Sequence, residues 1–174
     1  IAGMTAAGTP YVGVLFAGIM LTPTGPKLVE YNCRFGDPEA EVILPMLESD
    51  GLELFAAAAN GTLDQVTVEM RDGVAATVVV CADGYPADPV KGVAVPDLGS
   101  THDVCTFYAG ATRDDDGHLV SSGGRVLAVT GMGVDLDTAL SSVYRLVDQV
   151  TGHGLFARGD IGWRHSSVRS GKST

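Results

Sequence analysis

The stretch Glu30-Tyr31-Asn32-Cys33-Arg34-Phe35-Gly36-Asp37-Pro38-Glu39 decides how the rest of the chain is read. Apolar runs at residues 11–21 and 27–34 flank Thr22-Pro23-Thr24-Gly25-Pro26, a pattern of strand, turn and strand. Residues two apart in a strand share a face, so Glu30, Asn32 and Arg34 are expected on one side and Tyr31 and Cys33 on the other. A carboxylate and an amide oxygen suit magnesium, which takes few protein ligands and completes its shell with substrate phosphates. A guanidinium suits a bidentate phosphate contact. On spacing alone, a solvated strand face with a Glu–Arg pair is the stronger reading. The balance shifts because a tight Phe35-Gly36 turn leads straight into a helix N-terminus, itself an anion site.

That helix start is expected from Asp37 as N-cap, Pro38 at the first helical position and Glu39 favoured by the helix dipole. Asp37 and Glu39 could cap the helix, grip a substrate amine, or both, and capping alone accounts for Asp37. Val42, Ile43, Met46 and Leu47 form an apolar stripe that Pro45 should kink. A second helix restarts at Asp50, spaced from Glu53 like a capping box, and ends at Asn60-Gly61.

Beyond residue 65 the character becomes strand-rich. Residues 74–82, 104–109 and 126–130 are apolar runs of the kind found in strands buried on both faces. Glycine- and proline-rich loops at 83–96 and 110–124 separate them. Leu136, Leu140, Val143, Tyr144, Val147 and Val150 step by three and four, which predicts an amphipathic helix over 135–150. The pieces make an α+β chain with a boundary near residues 60–66.

Composition narrows the function classes. The 174 residues are 45% hydrophobic and 18% charged, enough for a packed core and too apolar for a disordered chain. A net charge of -10 argues against a nucleic-acid surface but leaves room for a nucleotide substrate neutralised locally by a cation. No segment is apolar enough for a membrane helix, and no secretory leader is visible. Cys33, Cys81 and Cys105 are far apart, without a CxxC, so a disulfide framework or zinc site is not expected and a reducing cytoplasm is the natural compartment. The opening residues read as the tail of a helix already under way, as in a fragment or after removal of a leader. Residues 166–174 read as a polar tail. The four histidines have no metal-ligand spacing, Cys33 reads as core, and Trp163 reads as a packing residue anchoring a last strand.

The ten residues from Glu30 to Glu39 resemble the signature of the phosphoribosylamine–glycine ligases, or glycinamide ribonucleotide synthetases, of the ATP-grasp superfamily. Gly8-Thr9-Pro10-Tyr11-Val12-Gly13-Val14-Leu15-Phe16-Ala17-Gly18 is similar to the strand before that signature. Gly84-Tyr85-Pro86, Lys91-Gly92, Gly123-Gly124-Arg125-Val126-Leu127 and Arg158-Asp160-Ile161-Gly162-Trp163-Arg164 resemble the family's C-terminal domain in the same order. The resemblance covers nearly all of the chain except its last ten residues. It departs from the pattern at Ala40-Glu41, where Thr-Gln or a similar pair is usual.

The resemblance implies the C-terminal part of an ATP-grasp domain over 1–62, followed by a small mixed β-rich domain over 63–165. It implies that Glu30 and Asn32 hold magnesium or manganese bound to ATP, with Arg34 facing phosphate and catalytic together with Asp37. Asp37 and Glu39 would lie beside the substrates, and Gly124 and Arg125 would approach them from the loop before a buried strand; without the resemblance that loop is a simple turn. The implied reaction joins glycine to 5-phosphoribosylamine through glycyl phosphate, giving glycinamide ribonucleotide in purine synthesis. The adenine-clamping and phosphate-covering lobes would lie upstream of residue 1, so this chain alone should lack most of the ATP site. Two alternatives stand: another ATP-grasp carboxylate–amine ligase, and a non-catalytic remnant module.

Overall fold

In the computed structural model, which describes residues 1–165, a short helix α1 (Ala2–Ala6) precedes an antiparallel ribbon of β1 (Phe16–Thr22) and β2 (Gly25–Asn32). The ribbon closes over Pro23 and Thr24. Thr22 donates its hydroxyl to the Gly25 carbonyl at 2.7 Å, and Gly25 takes the positive φ of 102° that the turn requires. Pairing runs from Thr22↔Gly25 to Phe16↔Asn32, with a register shift that opposes Gly18 to Glu30 but Ile19 to Leu28. Val29 therefore bulges immediately before Glu30.

The expected second strand is shortened at its end. Asn32 pairs with Phe16, the first residue of β1, and beyond it no partner remains for Cys33 and Arg34, which bend away. The helix start also differs. Asp37 and Pro38 occupy a turn joined by a cis peptide, and α2 (Glu39–Ile43) begins after them, with Ala40 N–H donating to the Gly36 carbonyl at 2.9 Å. Pro45 ends the α-helix rather than kinking it. Residues Leu44–Met46 tighten into a 3₁₀ turn, because Pro45 has no N–H to continue the ladder.

Helix α3 (Gly51–Asn60) follows its sequence signals closely. Asp50 accepts hydrogen bonds from the amides of Leu52 and Glu53 at 2.8 and 3.3 Å. Gly61 ends the helix with a φ of 72°, and Thr62 N–H returns to the Ala57 carbonyl at 2.9 Å. The following segment is tied back by a Leu47↔Met70 bridge and by the amides of Glu48 and Ser49 on the Glu69 carbonyl.

These bonds explain where the chain divides. One compact unit comprises Ile1–Ala40 and Leu47–Arg71, and the other comprises Glu41–Met46 and the residues from Asp72 onward. The tethers of the first unit extend to Met70.

The second unit is built on an antiparallel sheet of β3 (Val74–Ala82), β4 (Val104–Tyr108), β7 (Arg125–Gly133) and β8 (Leu155–Ala157), in the order β4-β7-β3-β8. Between them in sequence, β5 (Ala111–Arg113) and β6 (Leu119–Ser121) form a separate small ribbon within a stretch expected to be loop. Helix α4 (Leu136–Val150) covers one face of the sheet and is capped by Asp135, which accepts from Thr138 N–H at 2.8 Å. Its buried residues Leu140, Val143, Tyr144, Val147 and Val150 match the predicted stripe and pack with Val78, Val80, Leu127 and Val129. Gly131 and Gly133 lie under this helix. A Cβ on Gly131 would sit 2.5 Å from the Ala139 carbonyl oxygen, so these glycines permit the close approach of helix and sheet.

β3 is not buried equally on both faces. Ala76, Val78 and Val80 are buried under the helix side, whereas Thr77 and Val79 between them are only half-buried. No helix among the described residues is long and apolar enough to cross a membrane.

Candidate functional site

Glu30 and Asn32 do share a face of β2. Asn32 Nδ2 donates to Glu30 Oε1 at 2.9 Å, with Glu30 exposed and Asn32 half-buried. Gly18 stands opposite Glu30 in the ribbon, and a Cβ there would already touch the Glu30 side chain at 3.4 Å. The glycine leaves the flank of the carboxylate uncovered. No group of three or more His, Cys, Asp or Glu side chains able to hold a metal occurs among the described residues. The pair supplies two hard oxygens, the number a magnesium ion carrying substrate phosphates commonly takes from protein.

Arg34 reaches its position by the bend and not by strand periodicity. Its Nη1 donates to the Phe35 carbonyl at 2.9 Å, and the side chain is otherwise exposed. Gly36 is buried beneath Glu39, whose own Cβ lies within 2.9 Å of where a Gly36 Cβ would be. Glycine is thus required for the turn to fold under the Glu39 carboxylate. Asp37 and Glu39 are both exposed, so the turn presents two acids to solvent within three residues of Gly36. Cys33, expected in the core, is exposed.

Nearby in the same unit, Phe35 and Phe55 meet edge to face with centroids 6.0 Å apart. Both line an apolar cleft of roughly 650 Å³ together with Val12, Val14 and Leu54, and none of the acidic candidates lines it.

In the second unit, Gly124 accepts from Ala82 N–H through its carbonyl at 2.8 Å and lies under the Tyr85 ring, so closely that any side chain would displace the ring. Arg125 is exposed as the first residue of β7, paired in register with Cys81. Burial pushes the Cys81 thiol up, and the Arg125 charge opposes that shift. Gly123 N–H donates to the Gly110 carbonyl at 3.1 Å, and a Cβ on Gly110 would lie 2.9 Å from Gly123 Cα. The glycines of this loop therefore serve close backbone packing, whatever else Gly124 and Arg125 do. Sequence reasoning placed Gly36 in a tight turn but did not foresee its packing under Glu39, and it gave Gly18 and the Tyr85 ring no role of their own. The signal for each is a register or a close approach, which only the folded chain provides.

The Arg158-Asp160-Ile161 segment is fixed from below. Tyr144 donates its hydroxyl to the Arg158 carbonyl at 3.0 Å and accepts from Ile161 N–H at 3.1 Å. Arg158 and Asp160 form a two-pronged pair at 2.8 and 2.7 Å that holds the Asp160 carboxyl below its ordinary range. Trp163 is not the expected anchor: it is 55% exposed, with the Arg164 guanidinium 5.3 Å from its ring centre. The expected polar tail at residues 166–174 lies outside the described residues.

Residues 75–164 match the family profile described as phosphoribosylglycinamide synthetase, C domain, and residues 1–40 match that of its ATP-grasp (A) domain. The phosphoribosylamine–glycine ligase of Caulobacter vibrioides is 48% identical over 165 residues, spanning 93% of this chain and 39% of that protein. The trifunctional purine biosynthetic protein adenosine-3 of Gallus gallus is 44% identical over 165 residues, spanning 93% of this chain and 16% of that protein. The crystal structure of phosphoribosylamine–glycine ligase from Thermotoga maritima superposes with a TM-score of 0.78 at 35% identity, over 90% of this chain and 39% of that one. The chain thus spans about two-fifths of the length of the bacterial relatives it matches. By its profile match, its identity to these relatives and its fold, the chain belongs to the phosphoribosylglycinamide synthetase family.

Proposed function

We propose that this chain forms the C-terminal part of an ATP-dependent phosphoribosylamine–glycine ligase of the cytoplasm, with residues 1–62 completing an ATP-grasp domain and 63–165 forming the C-terminal domain. The observation that carries this reading is the Glu30–Asn32 pair on one face of β2, 2.9 Å apart, in a chain of this family. Glu30 and Asn32 would hold magnesium or manganese through the carboxylate and the amide oxygen, hard donors of the kind such ions take from protein. Turning the Asn32 amide over would present its oxygen in place of Nδ2, beside Glu30. Magnesium or manganese held there would neutralise ATP phosphate charge and favour phosphoryl transfer.

The chain's own groups have distinct tasks in this scheme. Arg34 uses one N–H on the Phe35 carbonyl, which fixes the guanidinium while the rest of its fork faces solvent and can meet phosphate. Asp37 and Glu39, displayed on the turn, would orient the glycine and the incoming amine, with Gly124 and Arg125 assisting from their loop. A glycine carboxylate oxygen attacks the γ-phosphorus, the bond to ADP breaks, and glycyl phosphate forms. The amine nitrogen of 5-phosphoribosylamine then attacks the glycyl carbonyl, loses a proton, and phosphate departs with the former carboxylate oxygen. The protein's part is positioning and charge stabilisation.

The test is substrate omission with the full-length protein. ADP should form only when glycine and 5-phosphoribosylamine are both present, and equal ADP formation with a different acid–amine pair would assign another ligase activity. Absence of any ATP consumption by a folded full-length protein would favour the non-catalytic alternative.

A further inference from the structure

Thr130 is fully buried in the middle of β7, a strand whose residues from Val126 to Val129 are all apolar. Valine has nearly the same shape, so a hydroxyl at this depth needs partners to offset its desolvation. It has two. Thr130 donates to the backbone carbonyl of Glu41 at 2.8 Å, and its oxygen lies 2.9 Å from the hydroxyl of Thr77, directly opposite on β3. With its proton on the Glu41 carbonyl, Thr130 accepts from Thr77, whose hydroxyl has the Val129 carbonyl at 3.2 Å as its alternative acceptor. The hydroxyl pair thus faces away from α4 and seizes the chain at Glu41, 89 residues distant in sequence.

The side chain of Glu41 does not do this holding. Its Oε2 is buried and has no hydrogen-bond partner among the described residues. Glu41 lies in α2, the five-residue helix that starts at Glu39 directly after the Asp37-Pro38 turn. So short a helix has little stability of its own and keeps its position only through tertiary bonds.

We propose that Thr130, supported by Thr77, is a positioning residue for the ligase reaction: its hydroxyl pins the Glu41 carbonyl and thereby holds α2, the helix into which the Asp37-Pro38 turn runs directly in sequence. This rests on the proposed function for its catalytic meaning, while the anchor itself can be tested separately. Glu30 and Asn32 sit on the ribbon and do not depend on this anchor, so the nucleotide and metal requirements should be unaffected.

The experiment compares Thr130→Val and Thr130→Ser in the full-length protein by hydrogen exchange and by steady-state kinetics. In Thr130→Val, exchange across residues 41–46 should accelerate by about fivefold while β3 and β7 stay protected. The KM for glycine or 5-phosphoribosylamine should rise by about fivefold with that for ATP unchanged, and Thr130→Ser should restore both. Unchanged exchange at 41–46 would overturn the anchor. Faster exchange with unchanged substrate KM values, or an equal loss for all three substrates, would overturn the positioning role in favour of a structural one. If the unmodified protein makes no amide, the proposed function fails and the positioning role with it, while exchange still reports on the anchor.

Discussion

Asn32 and Glu30 are joined side chain to side chain along one face of β2, the Asn32 amide donating to the Glu30 carboxylate at 2.9 Å. The bond is local, between residues two apart, and it survives the bulge at Val29 because the bulge precedes both. It brings a carboxylate and an amide side by side, the pair proposed above to hold the metal.

Replacing Asn32 with alanine should therefore act on metal use and not on folding. Asn32 is half-buried at the end of a strand, so the change leaves the ribbon pairing intact. In the full-length protein, Asn32→Ala should lower magnesium-dependent turnover by at least about tenfold, or about 1.4 kcal/mol in the barrier. Titration of activity against magnesium checks this, and an unchanged magnesium dependence would remove Asn32 from the metal site.

Gly131→Ala should destabilise the second unit. The new methyl would meet the Ala139 carbonyl oxygen at 2.5 Å and a Val143 methyl at 2.8 Å, forcing α4 away from the sheet. Overpacking of this kind costs about 1–3 kcal/mol. Urea unfolding should show a lowered midpoint with an unchanged slope.

Asp135 gives α4 a pH-dependent start. Its carboxylate is held below its ordinary range chiefly by the hydrogen bond from Thr138 N–H. A depressed folded-state value means that the cap's stabilisation is fully present above the unfolded carboxylate range. It is lost as pH falls through the folded value. Asp135→Ala should lower Tm by about a few degrees near neutral pH, with a difference that shrinks in acid. A Tm difference independent of pH would contradict the capping assignment.

Legibility in the sequence followed the range of the forces involved. α3 and α4 were readable because Asp50, Gly61 and Asp135 act within their own turns, and the apolar stripe of α4 repeats at helical spacing. β3 was readable as an unbroken apolar run, though its two faces differ. The end of β2 was not, because it is set by where β1 begins; hence Arg34 was wrongly placed on the strand face. Asp37 and Pro38 carry helix-start residue types yet form a turn. The β5–β6 ribbon and β8 are three-residue strands fixed by long-range pairing, too short to show periodicity. In the candidate site, Glu30 and Asn32 were legible through strand alternation. The Thr130–Glu41 bond was not, since nothing local links residues 89 apart.

The most direct test of the ligase reading follows oxygen. Glycine labelled with ¹⁸O in its carboxylate is supplied to the full-length protein with ATP, magnesium and 5-phosphoribosylamine, and the released phosphate is analysed by mass spectrometry. Reaction through glycyl phosphate predicts one labelled oxygen transferred to phosphate in each turnover, with the other retained in the amide. Phosphate released without label would contradict activation of the glycine carboxylate, and with it the central claim.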